Sequence, residues 1–113
     1  MNILALDVGG THLRSAWVSG GKLRADRRVR ANLSDLTGQA GERAGEKLLA
    51  ALLAHIQERL AEDGAPAVAL AMAGFIDRAG VIAASPNLPG VRDFPLQRLL
   101  SEALGLPVRV AND

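Results

Sequence analysis

The sequence predicts an α/β domain built on a mixed five-stranded sheet: three antiparallel strands, then two parallel strands reached through helical crossovers, with a small hairpin inserted. Three observations carry that expectation. Residues 3–8 (Ile-Leu-Ala-Leu-Asp-Val) and 67–73 (Ala-Val-Ala-Leu-Ala-Met-Ala) are short apolar runs of the kind found in strands buried on both faces. Between them Ala44, Leu48, Leu52, Ile56 and Leu60 recur every four residues, the stripe of an amphipathic helix. Strand, long helix, strand is the order of a parallel crossover.

The elements follow in turn. Gly9-Gly10-Thr11 breaks the first strand, and residues 13–18 resume a β-like run, so the connection reads as a hairpin. After the turn Ser19-Gly20-Gly21-Lys22, Leu23, Ala25, Arg27 and Val29 alternate with Arg24, Asp26, Arg28 and Arg30, as in an edge strand with one wet face. The helix is expected to start near Gly41–Glu42 and to stop at Gly64 and Pro66. Beyond the second buried strand, residues 75–83 carry a turn signature at their centre and read as a small hairpin, and 85–90 (Ser-Pro-Asn-Leu-Pro-Gly) as irregular chain. Pro95 opens a second helix, with Leu96, Leu99, Leu100, Ala103 and Leu104 at helical spacing and Gly105 at its end. Residues 107–111 form the last strand, parallel to the two buried ones.

At 113 residues the chain is one domain's worth. Thirteen basic and twelve acidic residues leave a formal charge of +1, so no global field draws the protein to nucleic acid or to an anionic membrane. Neither partner is expected. The basic run Lys22 to Arg30 reads as a solvated edge strand, since no aromatic residues are interleaved with it. With no cysteine there is no disulfide framework and no thiolate nucleophile. No stretch approaches the ~20 apolar residues of a membrane span, and the N-terminus lacks the pattern of a signal peptide. A cytoplasmic location is the expectation.

The chemistry concentrates at Asp7-Val8-Gly9-Gly10-Thr11-His12-Leu13-Arg14. It is neither a Walker loop, because Gly-Lys-Ser/Thr is missing, nor a dinucleotide fingerprint. Gly9 and Gly10 let backbone N–H groups approach a ligand, Thr11 adds a hydroxyl, and Asp7 puts a carboxylate at the end of a buried strand. Those N–H groups, with Thr11 and Arg14, would hold phosphate oxygens while Asp7 faces a hydrated Mg²⁺. The plainer reading is a Gly-Gly hairpin turn. Against it stands the cost of an unpaired carboxylate on a buried strand. Asp7, Gly74 and Asn112-Asp113 all fall at carboxyl ends of strands read as parallel, where open α/β sheets bind ligands. His12 reads equally as a phosphate contact or a surface residue; His55 reads as structural, Trp17 as core, and Asp77 and Asp93 as turn residues.

On these residues the chain resembles the N-terminal domain of the ROK family of bacterial sugar kinases and repressors, in the ribonuclease H-like, actin-like ATPase superfamily. Leu4 to Arg14 resembles the family's first phosphate motif, and Ala73-Gly74-Phe75-Ile76-Asp77 with Gly80-Val81 its Gly-x-Val-Asp hairpin. Ser85 to Gly90 and Leu106 to Asp113 resemble the two remaining signatures, in order and in register. Ala71, Ala73, Phe75 and Ala111 depart from residues common in relatives, in ways that bear on which sugar fits.

The resemblance implies ATP-dependent phosphorylation of a hexose, glucose first because Ser-Pro-Asn-Leu-Pro-Gly resembles the glucokinase branch. It makes Asp113 the catalytic base and Asn112 a sugar ligand. Gly9, Gly10, Thr11, His12 and Arg14 become phosphate contacts, Asp7 a carboxylate reaching Mg²⁺ through water, and Gly10, Gly74 and Asn87 sugar-pocket residues. It further implies that residues 1–113 are one lobe of a two-lobe enzyme, with the C-terminal lobe and the family's zinc site outside this chain. On that footing the isolated lobe is expected to be inactive and prone to self-association, and the full protein to be a homo-oligomer. The rival implication is a sugar-sensing ROK repressor or a non-catalytic sugar-binding domain; a repressor's helix-turn-helix would precede the first phosphate motif, where here Met1 leads into the first strand.

Overall fold

The computed structural model describes residues 2–9, 12–32, 43–86, 88 and 90–113, with residues 24–32 described by backbone alone. Its strands are β1 (Asn2–Val8), β2 (His12–Ser19), β3 (Lys22–Asn32), β4 (Ala67–Met72), β5 (Phe75–Ile76), β6 (Ile82–Ala84), β7 (Arg92–Phe94) and β8 (Val108–Asn112). The helices are α1 (Ala44–Glu62) and α2 (Leu96–Leu104). The main sheet runs β3-β2-β1-β4-β8, antiparallel over β3-β2-β1 and parallel over β1-β4-β8; a second sheet orders β5-β6-β7. The predicted class and strand directions are those observed.

Successive residues of a strand face opposite sides, and the register turns this alternation into two unlike faces. Leu4, Leu6 and Val8 lie level with Trp17, Ser15 and Leu13 of β2, and Val68, Leu70 and Met72 of β4 and Val108 and Val110 of β8 continue the layer. All are buried, and the apolar ones join Leu48, Leu52 and Ile56 of α1 and Leu96 and Leu100 of α2 in one core. Two parallel connections stepping in the same direction from β1 to β4 to β8 bring both helices to this one face, as crossovers of one hand require.

The other face carries Ile3, Ala5 and Asp7, level with Ala67, Ala69 and Ala71, and these six are only half-buried. The first strand is therefore not buried on both faces among the described residues, contrary to the expectation. Alanine explains the difference: it sustains an apolar run in sequence but is too small to report which face is covered.

Helix α1 buries Gly45, Leu48, Leu52, Ile56 and Arg59, while Leu60 is half-buried. Arg59 takes a core position because its guanidinium sits 5.8 Å from the centroid of the buried Trp17 ring and pairs with Glu62 at 2.8 Å. Gly45 is required by close packing, since a Cβ there would fall 2.5 Å from the Phe94 ring. The expected start at Gly41–Glu42 lies outside the described residues, as does the side-chain alternation expected over 24–30. At the other end of the fold, Gly105 closes α2 in the left-handed conformation at φ 66°. Strand β7 was not foreseen, being three residues long with Asp93 at φ 49° and no alternation to betray it. Among the described residues no helix is long and apolar enough to cross a membrane.

Candidate functional site

The carboxyl ends of β1, β4 and β8 form one rim. At the β1 end, Asp7 lies directly across from Arg14 of β2, and Arg14 Nη2 donates to Asp7 Oδ2 at 2.6 Å. Both side chains are close to half exposed, 42% for Asp7 and 46% for Arg14. The compensation the sequence demanded for Asp7 is thus supplied by a cross-strand partner and by partial solvation. Past Val8 the hairpin closes through Gly9 N–H donating to His12 C=O at 2.9 Å, and a Cβ on Gly9 would sit 3.2 Å from that oxygen. His12 is exposed beside the turn. Gly10, Thr11 and Asn87 lie outside the described residues.

At the β4–β8 end the ladder extends one step beyond the strands, with Asp113 N–H donating to Met72 C=O at 3.2 Å. Asn112 Nδ2 donates to Gly74 C=O at 2.6 Å. Gly74 itself has φ 150°, and a Cβ there would meet Ala84 C=O at 2.7 Å and Ser85 at 3.3 Å. No other residue fits that backbone without strain. Ser85, buried in the turn after β6, donates its hydroxyl to Ala73 C=O at 2.8 Å and closes the other side of this segment. Sequence reasoning left Ser85 in irregular chain; only the fold brings it back twelve residues to Ala73.

Register relates the two ends. Asp7 is level with Ala71, and Ala71 with Ala111, so Asp7 and residue 111 stand two strands apart, roughly 10 Å. Asp113 follows two residues on and shares their parity. Below Asp7 and Arg14, on the half-buried face, Ala5, Ala16 and Leu23 help line a depression of about 250 Å³. Among the described residues no three His, Asp or Glu side chains converge to cage a metal.

Residues read as structural behave so. Asp77 Oδ1 accepts from Ala79 N–H at 2.9 Å and Val81 N–H at 3.0 Å, making a turn. His55 Nε2 and Ser15 Oγ are 2.7 Å apart on the helix side of the sheet, and burial, assisted by Arg59, lowers the imidazole pKa.

The model of the ROK family matches residues 3–113. The chain belongs to the ROK family. It is 35% identical over 114 residues to an N-acetylmannosamine kinase of Shigella boydii serotype 18, across 100% of this chain and 36% of that relative. Its fold matches a ROK hexokinase from Thermus thermophilus at 38% identity and TM-score 0.71, covering 99% of this ROK chain and 35% of that one. A ROK family transcriptional regulator, a homologue of the E. coli MLC protein, shares the fold at TM-score 0.78 and 24% identity over 99% of this chain and 28% of its own. This ROK chain thus spans about a third of the length of the curated relatives it matches.

Proposed function

We propose that this chain is the N-terminal lobe of an ATP-dependent hexose kinase. The observation that carries the reading is the Asn112 Nδ2 to Gly74 C=O bond of 2.6 Å, which ties the Asn-Asp pair to the glycine at the end of the central parallel strand, on the rim that also bears Asp7. Asp113 acts as the base, its carboxylate accepting the proton of the sugar hydroxyl as that oxygen attacks the γ-phosphorus. Asn112 binds a neighbouring hydroxyl. Gly74 offers a surface with no side chain against which the ring lies, and Asn87 and Gly10 complete the sugar side.

Phosphate oxygens are held by the Gly10 N–H, by Thr11 and His12, and by the Arg14 guanidinium; the Gly9 N–H is already committed to His12 C=O, so Gly9 serves the turn and not, as the sequence suggested, as a phosphate donor. Bound Mg²⁺ would neutralise charge on the phosphate oxygens. Asp7 orients toward its water shell, so nucleotide arrival gives each member of the Asp7–Arg14 pair a new partner. Closing a second lobe over the substrates would exclude water and complete their positioning, which is why the isolated lobe is expected to turn over little sugar.

Glucose is the first candidate substrate, supported by the Ser85 to Gly90 segment. N-acetylmannosamine is its rival, supported by the relative that is 35% identical. An initial-rate assay of the complete protein with Mg-ATP and each sugar tests the reading and ranks the two. Fold likeness leaves a sugar-sensing regulator as the second reading, because a ROK family transcriptional regulator shares this architecture at TM-score 0.78. Sugar binding without transfer to any hexose would favour the regulator.

A further inference from the structure

Among the described residues strand β8 is the edge of the main sheet, so one row of its backbone groups has no strand partner there. Because Asp113 N–H points to β4, alternation sends the N–H groups of 109 and 111 the same way and those of 110 and 112 to the free side. The outward N–H of Val110 is met by a side chain: it donates to Gln97 Oε1 at 2.9 Å, from the first turn of α2. Two residues on, Asn112 reaches Gly74 C=O at 2.6 Å. The end of β8 is therefore pinned twice just before Asp113, once by backbone and once by a side chain.

Both pins lead to the hairpin that begins at Gly74. Its turn touches Gln97 directly, with Gln97 N–H donating to Gly80 C=O at 3.3 Å. Gly80 has φ 75°, and a Cβ there would collide with the Gln97 side chain from its Cβ outward, standing 2.5 Å from Oε1 and 2.8 Å from Cδ. The turn is shaped by Asp77, whose Oδ1 takes two N–H groups and whose own C=O accepts from Gly80 N–H at 3.0 Å. Asp77 and Gly80, which the rim does not use, thus make a turn against which the Gln97 side chain packs.

We propose that Gln97 is a positioning residue for Asn112 and Asp113, acting through Val110 and dependent on the space left by Gly80. The proposal rests on the kinase reading for its catalytic consequence and on the geometry of β8 for the contact itself.

Hydrogen exchange of single amides in this chain tests the contact. Gln97→Leu removes the acceptor and should speed exchange at Val110 about tenfold relative to Leu6 of central β1, the loss expected for one hydrogen bond, while Gln97→Glu, which keeps an acceptor oxygen, restores it. Should the leucine variant not fold, Gln97→Asn, which withdraws the amide by one methylene, serves the same purpose. In the complete protein Gln97→Leu should lower kcat about tenfold with KM for Mg-ATP unchanged, and glutamate should rescue it.

Unchanged exchange at Val110 in the leucine variant overturns the proposal whatever the activity. Faster exchange with unchanged kcat also overturns it, since Gln97 would then hold the strand without positioning the pair. If the wild-type protein transfers phosphate to no hexose, the kinase reading fails and the exchange arm still decides whether Gln97 sets the end of β8.

Discussion

At the β1–β2 end of the rim, Asp7 and Arg14 rest on one ion pair between half-exposed side chains, whereas at the β4–β8 end Gly74, Asn112 and Asp113 are held by hydrogen bonds crossing several elements. The first arrangement is cheap to exchange. The second is built in, with a glycine that no side chain can replace and a buried serine behind it. On the proposed function the difference has a purpose: mobile phosphates and their Mg²⁺ meet side chains that can change partners, while the sugar hydroxyl meets a base whose place is fixed by backbone.

The largest stability effect should come from breaking the built-in end. Gly74→Ala forces a Cβ to within 2.7 Å of Ala84 C=O at φ 150°. It should cost about 2–3 kcal/mol and lower Tm by roughly 10–15 °C in a thermal melt. A shift of only a degree or two would mean that the segment relaxes freely and is not built in.

A smaller effect is expected beneath the rim. Ser15 follows Arg14 on β2 but faces the helices, where it meets His55. Burial, with Arg59 beside it, holds the imidazole pKa below its ordinary 6.5, so the unfolded chain takes up the proton more readily than the folded one. The stability contributed by neutral His55 is complete above 6.5 and is lost as pH falls toward the lower folded value. Tm should therefore drop by a few degrees more in the wild type than in His55→Gln between about pH 7.5 and pH 5. Parallel pH profiles would show that the pair adds nothing.

Smallest in stability, and most telling for the comparison, is Arg14→Ala. Removing one member of an exposed pair should change unfolding free energy by less than about 1 kcal/mol. The same substitution should raise KM for Mg-ATP about tenfold in the complete protein, as expected for one lost charge-assisted contact. A variant that loses stability without losing nucleotide affinity would make Arg14 a partner for Asp7 and nothing more.

Much of this was legible in the sequence, and what was not has physical reasons. The Leu48, Leu52 and Ile56 stripe and the runs at 3–8 and 67–73 reported strands, helices and directions correctly, because burial imposes periodicity. Alanines at 5, 67, 69 and 71 hid the more open face of the sheet, since they satisfy either environment. Arg59 lies in the core on the strength of an aromatic ring forty-two residues away in sequence, which no local pattern encodes. Gln97 belongs to no motif in the sequence, and its partner on β8 exists only after the crossover is made. At the rim, the carboxylates, glycines and amide were visible as motifs, while the pairing of Asp7 with Arg14 and of Asn112 with Gly74 needed the register.

Turnover of the Asp113→Asn protein, measured with the complete chain beside a sugar-binding isotherm, tests the central claim most directly. The account predicts that phosphoryl transfer falls at least about a hundredfold, as loss of a general base requires, while the sugar Kd stays within about threefold because Asn112 and Gly74 are untouched. Turnover within a few-fold of wild type would contradict it and remove Asp113 from the chemistry.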